Sequence, residues 1–158
     1  MFLKIDFLCK GKIVFYSETK VIFLFLFLTL ISVADIRFYK IPDSLLLSLF
    51  ILLFSIDVKN DYNNILIHIA SAILMFLIFF LIYEYVGGLG FGDVKFISVL
   101  SYSMGFRTSV CAFLSAALIA LLFLGSKTII FGKAKARIPF APFLSLGSLV
   151  AISMCGGL

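Results

Sequence analysis

The sequence is short of charge: 13% of its 158 residues are Asp, Glu, Lys or Arg, against roughly 25% in an average soluble domain. With 63% apolar residues, that shortage excludes an ordinary water-soluble fold, because a core of this size has no room for so much apolar surface. The surplus must face lipid. The length leaves room for one domain of several spans and none for a further soluble domain of useful size. Cysteines are few and scattered, at Cys9, Cys111 and Cys155. Without CxxC or His-rich spacing they describe neither a metal site nor a disulfide framework. Cys111 and Cys155 lie inside apolar runs and read as small packing residues. No glycine-rich loop follows a strand, which removes nucleotide- and phosphate-binding loops. No cofactor, metal or nucleic-acid partner is expected; the formal charge of +5 reports loop orientation within a lipid bilayer first.

What is present is a series of low-charge runs at 21–34, 44–56, 65–83, 96–106, 109–125 and 138–158. They predict an all-α, polytopic membrane protein of six helices over 21–158, preceded by a basic and apolar tail at 1–20 that suits an amphipathic stretch on the membrane surface. Tryptophan is absent, so the headgroup belt falls to six tyrosines, all in or near the polar links. The third, fifth and sixth runs have 19, 17 and 21 residues, near the roughly 20 needed to span. The first, second and fourth have 14, 13 and 11, so their missing turns must come from flanking polar segments. Those segments would place Asp35, Asp43, Gly92, Asp93 and Lys95 at the hydrocarbon boundary, where polar groups are tolerated if buried in protein or lining a watery recess. Short helices ending at charged residues thus predict a cavity.

Counting crossings relates the acids. Asp35 follows the first run and Asp93 precedes the fourth; two crossings intervene, so both share one face, with Asp57 and Asp61 on the other. Links on the Asp35 side carry seven Lys and Arg against two opposite, but the tail adds four more to the opposite side, and the positive-inside rule is nearly tied. A cleaved signal peptide ending at Ser32-Val33-Ala34 is disfavoured, because a 20-residue leading tail is long for its basic region.

Individually, the polar residues have modest readings. Asp35 stands at the C-terminal end of an apolar run, where the helix dipole and burial both disfavour its charge; pairing with Arg37 or Lys40 is the plainer alternative. Asp43, after Pro42 and before Ser44-Leu45, suits the cap of the second helix. Gly87-Gly88-Leu89-Gly90-Phe91-Gly92-Asp93 permits a sharp, closely packed loop with Asp93 opening a helix. Lys95 points away from Asp93 on helical spacing and suits an anchor or loop partner. Glu84 suits a headgroup-level residue, and His68 lies at the face opposite Asp93, which favours a structural role. Small residues recur every fourth position at Ala112, Ala116, Ala120 and at Gly147, Ala151, Cys155, stripes that bring membrane helices together.

Three segments together resemble the type IV prepilin peptidases, membrane aspartyl proteases with a GxGD motif. Gly90-Phe91-Gly92-Asp93-Val94-Lys95 matches GxGDxK. Asp35 with Ile41-Pro42-Asp43-Ser44-Leu45 is similar to the family's other acid-bearing segment, and Ile138-Pro139-Phe140-Ala141-Pro142-Phe143-Leu144-Ser145-Leu146-Gly147 to its IPFxPxLxLG stretch. Phe96 and Ala141 depart from the more usual Leu and Gly.

The resemblance implies that Asp35 and Asp93 are the catalytic pair, with Gly90, Gly92, Lys95, Ile41, Pro42 and Asp43 as the supporting loops. One carboxylate would take a proton from water while the other serves the scissile carbonyl. Helix ends favour Asp93 as the ionised base and Asp35 as the protonated acid. The implied substrate is a prepilin or pseudopilin-like protein cut after a Gly between a basic leader and an apolar helix, at the cytoplasmic face of a bacterial-type plasma membrane. Longer relatives carry a cysteine-rich insertion and are associated with N-methylation; this chain has no such insertion, so peptidase activity alone is expected. Rival readings are a small transporter or proton relay using intramembrane carboxylates, disfavoured by the lack of repeated acid-bearing halves, and an inactive assembly factor. The substrate's identity and the oligomeric state are not legible.

Overall fold

The computed structural model describes residues 18–60, 65–85, 89–131 and 139–155. Most of the leading tail, Gly87, Gly88 and Ile138 lie outside them, and with them the amphipathic reading of the tail. Among the described residues six helices follow in order: α1 (Glu18–Phe38), α2 (Asp43–Asn60), α3 (Ile65–Tyr85), α4 (Phe91–Met104), α5 (Phe106–Phe131) and α6 (Ala141–Cys155). Three stretches of these residues, Lys20–Phe38, Ile65–Tyr85 and Phe106–Ser126, are long and apolar enough to cross a membrane. Large apolar side chains point outward along them, Leu66 and Leu122 at 78% and 75% exposure among them, as lipid-facing surfaces require. The chain is an all-α polytopic membrane protein.

The short runs gain their missing turns from polar neighbours. α1 takes in Asp35 and Arg37 and reaches 21 residues, about 32 Å at 1.5 Å per residue. α2 takes in Asp43, Asp57 and Lys59. α4 takes in 91–95 yet keeps only 14 residues, and it occupies the middle of the bundle against α2, α3 and α5. Eight of its residues are buried, from Val94 to Met104. Protein, not lipid, surrounds it.

Two boundaries differ from the sequence expectation. The sixth run reads as the longest, but α6 covers 15 residues. Its described start is at Ala141, with Pro142 in the first turn, where proline fits. The link between α4 and α5 is Gly105, not Arg107-Thr108. Gly105 adopts φ +80°, a conformation open to glycine; its N–H donates to the Ser101 carbonyl, and Ser109 Oγ donates back to the Gly105 carbonyl.

α5 and α6 pack most closely. A Cβ at Gly147 would overlap the Ala112 carbonyl oxygen and come within 2.7 Å of the Ala116 nitrogen, so backbone meets backbone there, as the small-residue stripes imply. Ala112, Ala116 and Ala151 are buried; the Cys155 side chain lies outside the described residues. Serines tie the helices as well: Ser115 Oγ donates to the Gly147 carbonyl, Ser32 Oγ to Ser145 Oγ, and Ser71 and Ser101 each donate to the other's carbonyl across α3 and α4.

Candidate active site

Asp35 lies in the last turn of α1. After it, Tyr39 turns the chain with φ +51°, and its N–H donates to the Asp35 carbonyl at 2.9 Å, a left-handed helix ending that normally falls to glycine. Pro42 then accepts the Leu45 and Leu46 N–H groups through its carbonyl as α2 begins. The Asp35 side chain is buried and pairs with neither Arg37 nor Lys40. Its Oδ2 accepts the Ala141 N–H at 2.9 Å, the first amide of α6. Asp35 therefore sits at the C-terminus of one helix and the N-terminus of another.

Asp93 occupies the first turn of α4. Its Oδ2 accepts the Gly90 N–H at 3.3 Å, while the Gly90 carbonyl receives the Asp93 N–H, so the acid closes its own helix start. A Cβ at Gly90 would lie 3.0 Å from that same Oδ2, which explains a glycine here. Both acids thus take a backbone N–H at a helix N-terminus, and helix ends no longer separate one as acid from the other as base.

Asp35 and Asp93 open into one cavity of about 640 Å³ and lie within electrostatic reach of one another. Tyr39, Leu89 and Gly90 line the wall beside them; Ala120, Leu124, Pro139, Phe140 and Phe143 make the rest. The two acids therefore stand among mostly apolar side chains. Sequence motifs gave no weight to Tyr39, Ala120 or Leu124 at this site; the only signals were the short helices that required a recess and, for Ala120, the small-residue stripe.

The other motif residues lie beside the cavity. Lys95 Nζ donates to both carboxylate oxygens of Asp43, at 2.9 and 2.8 Å, so the carboxylate at the start of α2 reaches across to α4. Gly92 lies under Ile41: a Cβ on the glycine would stand 3.3 Å from the Ile41 Cβ. Glu84 lies near the end of α3 on an exposed face.

The opposite end of the bundle holds a second group. Lys20 and Asp57, both buried, pair at 2.7 Å, Tyr102 lies within electrostatic reach of Asp57, and His68 stacks near Tyr102 with ring centroids 5.8 Å apart. Asp57 and His68 are thus remote from Asp35 and Asp93, as the single crossing of α2 or α3 between them demands.

The chain is 29% identical over 127 residues, 78% of its own length, to the prepilin leader peptidase/N-methyltransferase of Bacillus subtilis (strain 168), and spans about half, 51%, of that curated relative. No solved structure gives a significant match. The family model for type IV leader peptidases matches residues 22–125, a stretch that contains both acids of the cavity and both halves of the contact between 41–43 and 92–95, and the chain belongs to that family.

Proposed function

We propose that this protein is an aspartic endopeptidase that removes the leader of prepilin-like proteins, with Asp35 and Asp93 as its catalytic pair. The observation that carries the proposal is that two acids 58 positions apart, Asp35 and Asp93, line one cavity in a chain of the type IV leader peptidase family. A water held between the carboxyl groups loses a proton to the ionised one as its oxygen attacks the scissile carbonyl. The protonated partner donates to the carbonyl oxygen, and the resulting gem-diol collapses with proton transfer to the departing amine. Two carboxyls that interact within one cavity share protons as a unit. The neutral roles of Gly90 and Ala141 are to hold the oxygens by backbone N–H groups.

The substrate is read as a chain cut after a Gly, with a basic leader at the cytoplasmic side and an apolar helix beyond the cut. The apolar lining of Ala120, Leu124, Phe140 and Phe143 suits the start of such a helix, and the two acids suit a cationic leader. The curated relative's name also carries N-methyltransferase; the proposal here concerns the peptidase.

Co-expression with a prepilin-like substrate tests it. The unmodified chain is expected to produce the shortened product, and Asp35→Asn and Asp93→Asn each to lower the cleavage rate by about 10²–10⁴-fold. Unmodified processing in either variant would remove that acid from the mechanism, and proton flux without cleavage would favour a relay.

A further inference from the structure

The two acids reach the cavity from separate elements, and their separation is set by whatever holds the 39–42 link against the first turn of α4. Two contacts do so. Ile41 seats on the backbone of Gly92, so closely that a Cβ there would stand 3.3 Å from the Ile41 Cβ. Two residues on, Asp43 receives Lys95 Nζ through both oxygens at 2.9 and 2.8 Å. Asp93 lies between the two contact points on α4, and Asp35 lies six residues before Ile41 through the Tyr39 turn. Lys95 is itself steadied over the Phe91 ring, 4.8 Å from its centroid.

Neither charged member of this contact lines the acid cavity. Asp43 and Lys95 border a separate apolar groove of about 390 Å³ between α2 and α4, with Leu46, Leu47, Phe50 and Val99. Whatever they do for the acids, they do through the backbone. Their side chains are 71% and 34% exposed, so the ion pair adds little to overall stability, while a bidentate pair still fixes geometry. Near this end α2 is also seated by buried Leu46 and by Leu45, which packs against the core, so the ion pair is not needed to keep the helix in the bundle.

We propose that Asp43 and Lys95 are a positioning pair which, with Ile41 on Gly92, clasps the α1–α2 link to α4 and holds Asp35 and Asp93 at their working separation. This rests on the assignment of those two acids as the catalytic pair. The pair touches neither substrate nor water; it acts on the rate by fixing where the carboxyls stand, and misplacement of reacting groups by about 1 Å lowers rates on the order of 100-fold.

The test is steady-state cleavage of a prepilin-like substrate by the full chain in detergent, with kcat and KM measured separately alongside the thermal midpoint. Asp43→Asn and Lys95→Met are each expected to lower kcat about 10- to 100-fold, with KM within about threefold and the midpoint nearly unmoved. The reversed pair, Asp43→Lys with Lys95→Asp, is expected to regain at least about tenfold over the weaker single variant, and Lys95→Arg to stay within about threefold of the unmodified chain. Normal kcat in both single variants overturns the clasp, as does a loss confined to KM, which would make these residues substrate contacts. A folded reversed pair no better than the single variants also overturns it. If the reversed pair loses its midpoint, the contrast between Lys95→Arg and Lys95→Met decides. An unmodified chain that leaves the substrate uncut, or an active Asp35→Asn, refutes the peptidase assignment instead, and so the two failures are distinct.

Discussion

Asp35 draws its geometry from a residue 106 positions away, the Ala141 amide that it accepts at 2.9 Å. A hydrogen bond to a charged acceptor contributes about 1.5–3 kcal/mol, enough to hold a carboxyl in one orientation within a cavity. Ala141→Pro removes this bond, because proline fits the first helical position and lacks the N–H, while its ring must be accommodated where Ala141 is fully buried. Cleavage is expected to fall about tenfold or more, the rate equivalent of about 1.4 kcal/mol, with a stability loss within the roughly 1–3 kcal/mol of overpacking. A rate equal to the unmodified one would show that Asp35 is oriented by other groups. The motifs made Asp35 and Asp93 legible, and crossing topology put them on one face. The partner of Asp35 was not legible, because Arg37 and Lys40 are the nearer charges in sequence, whereas the structure offers an uncapped amide from α6. Tyr39 escaped for a related reason: its left-handed φ of +51° is a conformation that no tyrosine advertises.

At the scale of elements, periodic low charge was enough to find six helices, and the turns borrowed from polar neighbours followed from bilayer thickness. Boundaries set by backbone geometry were harder to see. Gly105 is one glycine beside the more conspicuous polar pair Arg107-Thr108, and only its φ of +80° makes it the break between α4 and α5. Glycines differ in what they do, which yields a paired prediction. At Gly147 an added Cβ meets the Ala112 and Ala116 backbone, which is unable to yield as a flexible side chain does. Gly147→Ala is expected to cost about 1–3 kcal/mol, the range for overpacking, by separating α5 from α6 and moving the Ala120 and Phe143 walls of the cavity apart. At Gly125 an added Cβ meets nothing within 4 Å, so Gly125→Ala is expected to be neutral or to gain about 0.5–1 kcal/mol from helix propensity. Unfolding of both variants in the same detergent checks the pair; equal effects would mean that the close approach of α5 and α6 does not govern stability.

Across the whole molecule, α2 is held at both ends by ion pairs of different character. At the acid end, Asp43 and Lys95 are substantially exposed; at the far end, Lys20 and Asp57 are buried, with side chains 6% and 4% accessible. Burial changes the energetics of the far pair. Removing charges from water costs several kcal/mol per ion, which mutual attraction recovers only while both partners remain. Asp57→Asn leaves the Lys20 ammonium buried without a counter-charge, an expected loss of about 3–5 kcal/mol. Replacing both, as Lys20→Met with Asp57→Leu, removes the desolvation penalty along with the attraction and is expected to recover most of that loss. Tyr102, flanked by the rings of Phe50 and His68, lies beside Asp57. Thermal unfolding of the single and double variants separates the two cases: a double variant as unstable as Asp57→Asn would mean that the pair is needed for its attraction itself. A recovered double variant would mean that attraction and desolvation nearly cancel in this pair, so that the α1–α2 packing at this end rests on its apolar contacts.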